Sequence, residues 1–231
     1  MPDTPAISVV VPLYNEEDNV AELQQEIDTA LTGLDYELVL VDDGSSDATV
    51  SRVVRGPRVR LIEFRKNAGQ SAAMYAGIHA AVGKVIVTLD GDLQNDPKDI
   101  PALVALLDAG ADLACGYRAK RKDTAFKRMQ SRIANRVRSW FIGDGVRDTG
   151  CTLKAMKSEC RTALVLFNGM HRFIPALIGA SGFKVTEMPV NHRPRVAGVS
   201  KYGFGNRALR ATMDMFGVRW LNSRRAGYEV K

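Results

Sequence analysis

The chain has 231 residues, 45% of them hydrophobic, enough to bury one substantial core with a small appendage. No apolar run approaches the ~18 residues of a membrane span, the start lacks the basic region of a secretion signal, and three cysteines are too few and too irregular for a disulfide framework or a four-ligand zinc site. The expectation is a cytosolic protein with reduced, buried thiols, and its net charge of +6 divides unevenly: residues 1–115 hold 8 Lys and Arg against 19 Asp and Glu, residues 116–231 hold 24 against 7. An acidic half suits a metal or base-recognition site, and a basic half suits phosphate, nucleic acid or a membrane surface.

In chain order, Ile7–Val11, Tyr36–Val41, Val59–Phe64 and Val85–Leu89 read as strands, the first, second and fourth too uniformly apolar to leave a solvated face. Val20–Leu31, Ser71–Ala81 and Ile100–Ala109 show helical spacing, with Pro101 tolerable in a first turn. This alternation predicts an α/β fold with a mostly parallel sheet covered on both faces. Ligands of such sheets bind beyond the carboxyl ends of the strands. There the four strands run into Pro12-Leu13-Tyr14-Asn15-Glu16, Asp42-Asp43-Gly44-Ser45-Ser46-Asp47, Arg65-Lys66-Asn67-Ala68-Gly69 and Asp90-Gly91-Asp92. No G-x-G-x-x-G follows the first strand and no phosphate-binding G-x-x-x-x-G-K-[ST] occurs anywhere, so two common nucleotide folds are excluded.

Asp90 and Asp92 carry the sharpest chemical signal. Mg²⁺ and Mn²⁺ prefer oxygen ligands, and Mg²⁺ is typically held by one or two carboxylates with substrate phosphates and water completing the shell. Alternation along an extended strand turns Asp90, Asp92 and then Gln94 toward one face, with Gly91 leaving room for a bulky ligand. A cation there neutralises a diphosphate leaving group. An isolated Asp-Gly-Asp is more often a plain turn. The polar clusters at the neighbouring strand ends favour the functional reading.

Pro12-x-Tyr14-Asn15-Glu16, Asp42-Asp43-Gly44-Ser45-x-Asp47, Asn67-x-Gly69, Asp90-x-Asp92-x-Gln94 and Gly116-Tyr117-Arg118 resemble, in order, the motifs of family 2 glycosyltransferases of the GT-A fold, in the branch of dolichol-phosphate mannose synthase and bacterial polyprenyl-phosphate glycosyltransferases. The resemblance runs from about residue 7 to residue 202. It implies that Pro12, Tyr14, Glu16 and Asp43 hold the nucleoside with Asp42 close by. It further implies that Asp90, Asp92 and Gln94 meet an Mg²⁺ or Mn²⁺ ion and the diphosphate, and that Arg118 lies near the donor. The implied reaction is an inverting, metal-dependent transfer of a sugar from a nucleotide diphosphate to a polyprenyl phosphate.

The basic half adds Arg195-Val196-Ala197-Gly198-Val199-Ser200-Lys201-Tyr202, which resembles the R-x-x-G-x-S-K loop that closes over the donor in that branch. Arg195 can fork two phosphate oxygens, Ser200 donates one bond and Lys201 adds a mobile cation. Asp148, before Gly150, sits where the family carries an acid at the acceptor pocket, with a turn-holding role as the alternative. A catalytic unit over residues 1–202 is expected, with a nucleotide- and metal-binding half (1–115), an acceptor-side half (116–202) and a basic amphipathic extension over 203–231. Phe126, Met129, Ile133, Val137 and Trp140, and again Leu209, Met213, Phe216 and Trp220, recur at helical spacing among arginines. Such stripes ordinarily face a core. Two basic ones with tryptophans put a peripheral seat on the inner membrane face level with core packing, a separate small membrane subunit or a homo-oligomer being the other partners considered. The alternatives are transfer to a saccharide or glycolipid hydroxyl and, from another class, a basic nucleic-acid-binding module. His79, His171 and His192 lack ligand-like spacing and are assigned structural work.

Overall fold

The computed structural model describes residues 4–119, 138–194 and 205–226. The predicted loop residues Arg195, Ser200 and Lys201, and the stripe from Phe126 to Val137, lie outside the described residues. Among the described residues one seven-stranded sheet runs in the order β3-β2-β1-β4-β6-β5-β7, where β1 is Ile7–Leu13, β2 Tyr36–Asp42, β3 Val59–Glu63, β4 Val85–Thr88, β5 Leu113–Arg118, β6 Lys154–Lys157 and β7 Val185–Val190. Strands β1 to β4 are mutually parallel, β5 is parallel to β7, and β6 is antiparallel to both β4 and β5. Reversing that one short strand keeps β5 and β7 running the same way as β1 to β4. Six strands therefore end at one edge of the sheet and β6 starts there.

Uniformly apolar sequence makes β1 and β2 the centre: every residue of both is buried, whereas β3 at the margin is half-exposed. Their two faces feed two cores. Val9, Val11 and Leu13 pack with Leu23 and Ile27 of α1 (Val20–Ala30) and with Ile100, Leu103 and Leu107 of α3 (Ile100–Asp108). Val10, Val39 and Val41 pack with Met74 and Ile78 of α2 (Gln70–Ala80) and with Leu177 of α4 (Ile174–Gly179). The three cysteines are buried and unbridged, as expected.

The last helix, α5 (Gly205–Ser223), lays Val218, Met215 and Leu221 on the second core, and Asn222 donates to the Ala176 carbonyl at 3.2 Å. Its other face carries the stripe. Met213, Phe216 and Trp220 are 67%, 60% and 64% exposed, and Trp140, in the helical residues 138–142, is 81% exposed. The ordinary core-facing role of such a stripe does not hold for these residues, because the neighbouring positions 215, 218 and 221 occupy the core side. Phe216 meets Phe141 edge to face at 4.8 Å, and Arg219 lies 4.7 Å over the same Phe141 ring, so the two helical segments present one aromatic, cationic surface.

Helix α2 is seated unusually close to the sheet. A Cβ at Gly77 would fall inside van der Waals distance of Val10 Cγ1 and stand 3.0 Å from Val41 Cγ2. Gly77→Ala is expected to cost about 1–3 kcal/mol through overpacking, read as a lower urea midpoint with an unchanged slope.

Candidate active site

The edge where the strands end collects nearly all the polar residues singled out above. Pro12 is buried in β1 opposite Val41, and Tyr14 and Glu16 are half-buried just beyond it. Asn15 turns the chain at φ +51°, a conformation uncommon outside glycine. It is held by Ser45 Oγ, which accepts from its N–H at 2.9 Å, and by the Ser46 N–H, which donates to its side chain at 2.9 Å. Glu16 N–H donates to Thr49 Oγ1 at 2.8 Å. The turns after β1 and β2 thus form one unit.

Asp42 and Asp43, both 3% exposed, divide the work. Asp43 accepts from Asn67 Nδ2 at 2.9 Å, from the Ala68 N–H at 2.6 Å and from the Gly69 N–H at 2.9 Å, so the Asn67-x-Gly69 motif is the cradle of a carboxylate. Asp42 Oδ2 accepts from the Ser45 N–H at 3.0 Å, but Asp42 Oδ1 is buried without a hydrogen-bond partner. Of the pair, Asp42 has the vacant acceptor.

Asp90 and Asp92 lie beyond the end of β4. Asp90 accepts from Gln70 Nε2 at 2.8 Å and from Thr152, itself bonded by Asn95 Nδ2 at 2.9 Å. Burial pushes the Asp90 carboxyl up to about 6, with the Asp92 charge adding to the rise and Thr152, Lys154 and Arg118 pulling against it. Lys154 is 1% exposed and caps the Cys151 carbonyl from beneath the site. Gly91 does not make room for a ligand, as its spacing suggested: a Cβ there would meet Leu13 Cδ2 at 2.8 Å and the Pro12 carbonyl at 3.2 Å, so its smallness joins two strand ends. Gln94 turns its amide to the Arg193 carbonyl at 3.3 Å. Among the described residues no group of three or more His, Cys, Asp or Glu is arranged to hold a metal ion. Asp90 and Asp92 supply two carboxylates whose mutual repulsion a divalent cation would relieve, a donor set that suits Mg²⁺ or Mn²⁺ sharing its shell with substrate phosphates.

Across from them, Arg118 at the end of β5 grips Asp148 with Nε to Oδ2 at 2.7 Å and Nη2 to Oδ1 at 2.8 Å. The Gly150 N–H also donates to Asp148 Oδ1, at 3.2 Å. This pairing holds the guanidinium charged. His192, assigned structural work above, stands within electrostatic reach of Arg118, Asp92 and Asp148. Its Nδ1 donates to the Arg193 carbonyl at 3.1 Å, and burial and the Arg118 charge hold its pKa below the usual histidine range. Gln70 and Thr152 escaped sequence reasoning, and His192 was weighed only as a structural residue. For Gln70 the one signal was its place directly after Gly69.

The sequence profile of glycosyl transferase family 2 matches residues 8–167. The chain belongs to that family. It is 41% identical over 223 residues to dodecaprenyl-phosphate galacturonate synthase of Rhizobium johnstonii, covering 92% of this chain and 66% of that protein. It is 40% identical over 205 residues to undecaprenyl-phosphate 4-deoxy-4-formamido-L-arabinose transferase of an Enterobacter species, covering 86% and 63%. The chain therefore spans just under two thirds of the length of these curated relatives. Among solved structures it is similar to glucosyl-3-phosphoglycerate synthase from Mycobacterium tuberculosis in complex with Mn²⁺, UDP and phosphoglyceric acid, with a TM-score of 0.71 at 18% identity over 96% of this chain and 80% of that one. The fold is GT-A. Among the described residues no helix is long and apolar enough to cross a membrane.

The Asp90 shift has a stability consequence. A carboxyl whose folded pKa is raised contributes stability that is present below its unfolded pKa and lost as pH rises toward about 6. In metal-free buffer Asp90→Asn should therefore gain on the wild type between pH 4 and pH 7, checked by denaturant unfolding of both proteins at the two ends of that window.

Proposed function

We propose that this glycosyltransferase moves a sugar from a nucleotide diphosphate to a polyprenyl phosphate at the cytoplasmic face of a membrane. The observation that carries the reading is the delivery of Asp42, Asp90, Asp92 and the Arg118–Asp148 pair to one edge of the sheet. The lipid acceptors in the names of the two relatives support the acceptor class, and the Mn²⁺ and UDP held by the mycobacterial synthase support the donor class and the metal.

Each residue has a task. Asp42 stands at the nucleoside end of the edge with Pro12, Tyr14 and Glu16, while Asp43 holds the adjoining loop through Asn67 and Gly69. Asp90 and Asp92 would hold Mg²⁺ or Mn²⁺, which when bound supplies Lewis-acid neutralisation of the departing diphosphate. Arg118, held by Asp148, keeps N–H groups to spare for an anionic acceptor. The acceptor oxygen attacks the anomeric carbon from the side opposite the diphosphate, which leaves with the bonding pair, inverting that centre. A sugar hydroxyl acceptor would need a base, and Asp148 is committed to Arg118 through both oxygens. A phosphate monoester needs none, since its second pKa is about 6. This favours a lipid phosphate over a saccharide hydroxyl. The exposed Trp140, Met213, Phe216 and Trp220 with Arg219 supply an interfacial seat beside the site's half of the chain.

Incubation with a panel of nucleotide sugars, with and without a polyprenyl phosphate, tests the reading by nucleoside diphosphate release. Release stimulated by the lipid is expected, and transfer to a saccharide alone would replace the acceptor assignment. Asp92→Asn should lower turnover on the order of 10²-fold or more, and excess chelator should abolish it, since the cation is assigned several kcal/mol of transition-state stabilisation. Full turnover in chelator would remove the metal from the scheme. Trp140→Ser with Trp220→Ser should weaken co-sedimentation with phosphatidylglycerol vesicles several-fold while sparing transfer to a short, water-soluble acceptor. Unchanged sedimentation would leave a membrane subunit or another copy of the chain as the occupant of that face.

A further inference from the structure

The segment after β7 is fastened to the loop that carries the acidic pair. Asn191 donates its backbone N–H to Asp99 Oδ2 at 2.6 Å and its side-chain amide to Asp99 Oδ1 at 3.2 Å. His192 forms a β-bridge with Asn95. The Arg193 N–H donates to the Gln94 carbonyl at 2.8 Å, and the Arg193 carbonyl accepts from Gln94 Nε2 at 3.3 Å. The Arg193 guanidinium then spans Glu26 of α1 at 2.5 Å and Asp96 at 2.8 Å.

The fastened loop needs such support. Leu93, between Asp92 and Gln94, has φ +58°, a strained conformation that a non-glycine residue keeps only where its surroundings over-determine it. Asp92 Oδ1 accepts from the Gln94 N–H at 3.2 Å, so a displacement of Gln94 passes directly to Asp92. Charge acts in the same direction. Glu26 and Asp96 are largely shielded from water, and Glu26 Oε2 is buried without a hydrogen-bond partner. Without Arg193 two largely shielded carboxylates lose their shared counter-charge at the foot of the loop that carries Asp92.

We propose that Arg193 is a positioning residue for glycosyl transfer: bridging Glu26 and Asp96 while its backbone brackets Gln94, it holds Asp92 where the donor diphosphate and its cation meet. Arg193 acts through Gln94 and is assigned no contact with substrate. The inference rests on the reading above that Asp92 faces the donor diphosphate.

The test compares Arg193→Met and Arg193→Lys with Arg55→Met, which breaks a 3.8 Å surface pair to Glu63 as a control. Amide hydrogen exchange in substrate-free protein should quicken about tenfold across residues 90–96 in Arg193→Met and stay unchanged across residues 42–45. Mn²⁺ affinity, measured with whichever of UDP, GDP, ADP or CDP binds the wild type most tightly, should fall about tenfold, and kcat by 10-fold to 100-fold, of the order seen for small misplacements of reacting groups. Affinity for the matching nucleoside monophosphate should not move. Arg193→Lys should recover part of each loss, because an ammonium reaches one carboxylate where the guanidinium fork reaches two. Exchange that is unchanged across 90–96, or that quickens throughout the sheet, would overturn the proposal. So would a monophosphate affinity that falls as far as the Mn²⁺ affinity. A wild type inactive on every nucleotide sugar would sink the functional reading, and it is told apart from failure of the clamp because exchange and Mn²⁺ binding do not require turnover.

Discussion

Carboxylates delivered to the end of a dry sheet lose water, and a desolvated carboxylate persists only if donors or a cation replace that water. The architecture around this edge is organised by that requirement. Asp43 is met by the loop Asn67 to Gly69, Asp90 by Gln70 and Thr152, and Asp148 by Arg118. Each donor comes from an element other than the one that carries the acid. Satisfying the acids therefore locks the start of α2, the β4 end, the β5 end and the approach to β6 into one frame. The loop that meets Asp43 leads straight into α2, whose first residue, Gln70, reaches Asp90.

The centre of this frame was legible in the sequence because strands buried on both faces leave an unambiguous record. Four strands and three helices were predicted to within two residues, and the acids at their ends followed from where the apolar runs stop. The other half left no such record. Strands β5, β6 and β7 read LACGYR, KAMK and VTEMPV, with lysine and glycine at buried positions and a glutamate at a half-buried one. Lys154 is the extreme case: a lysine at 1% exposure looks like surface until its neighbours are known. Gly91 was misread for a related reason, since spacing shows that a glycine is needed but not whether a ligand or another strand comes close. The split between Asp42 and Asp43 was equally invisible, because it depends on where the chain returns 24 residues later.

Amphipathic periodicity gave the last helix correctly and its orientation ambiguously. On α5 two apolar sets interleave, and the smaller side chains of Val218, Met215 and Leu221 are the ones that pack. The larger aromatic ones stay outside. A helix apolar on more than one face has more than one surface to bury. Tryptophans beside arginines suit a boundary that is apolar on one side and wet on the other. Not every arginine there is free for an anionic surface. Arg225 is spent on the Ala163 carbonyl at 2.7 Å and on Ser181, fastening the end of the helix to the body.

The unequal charge of the two halves makes physical sense once the site is assembled. Under the proposed function, a nucleotide diphosphate approaching Asp42, Asp90 and Asp92 would meet charge of its own sign, so an acidic strand edge alone would repel the donor. Two things reverse that field. One would be the cation proposed for Asp90 and Asp92; the other is the basic half folding its arginines back across the edge, as Arg118 does opposite Asp90 and Arg193 does against Asp96. Neither arginine is loose: each is pinned by a carboxylate, which limits its reach but fixes its position. A pinned guanidinium supplies a field without the entropic cost of ordering a long side chain when substrate arrives. Selection for transfer over mere binding would favour that arrangement, since charges already in place stabilise the developing diphosphate with little reorganisation at the moment the bond breaks.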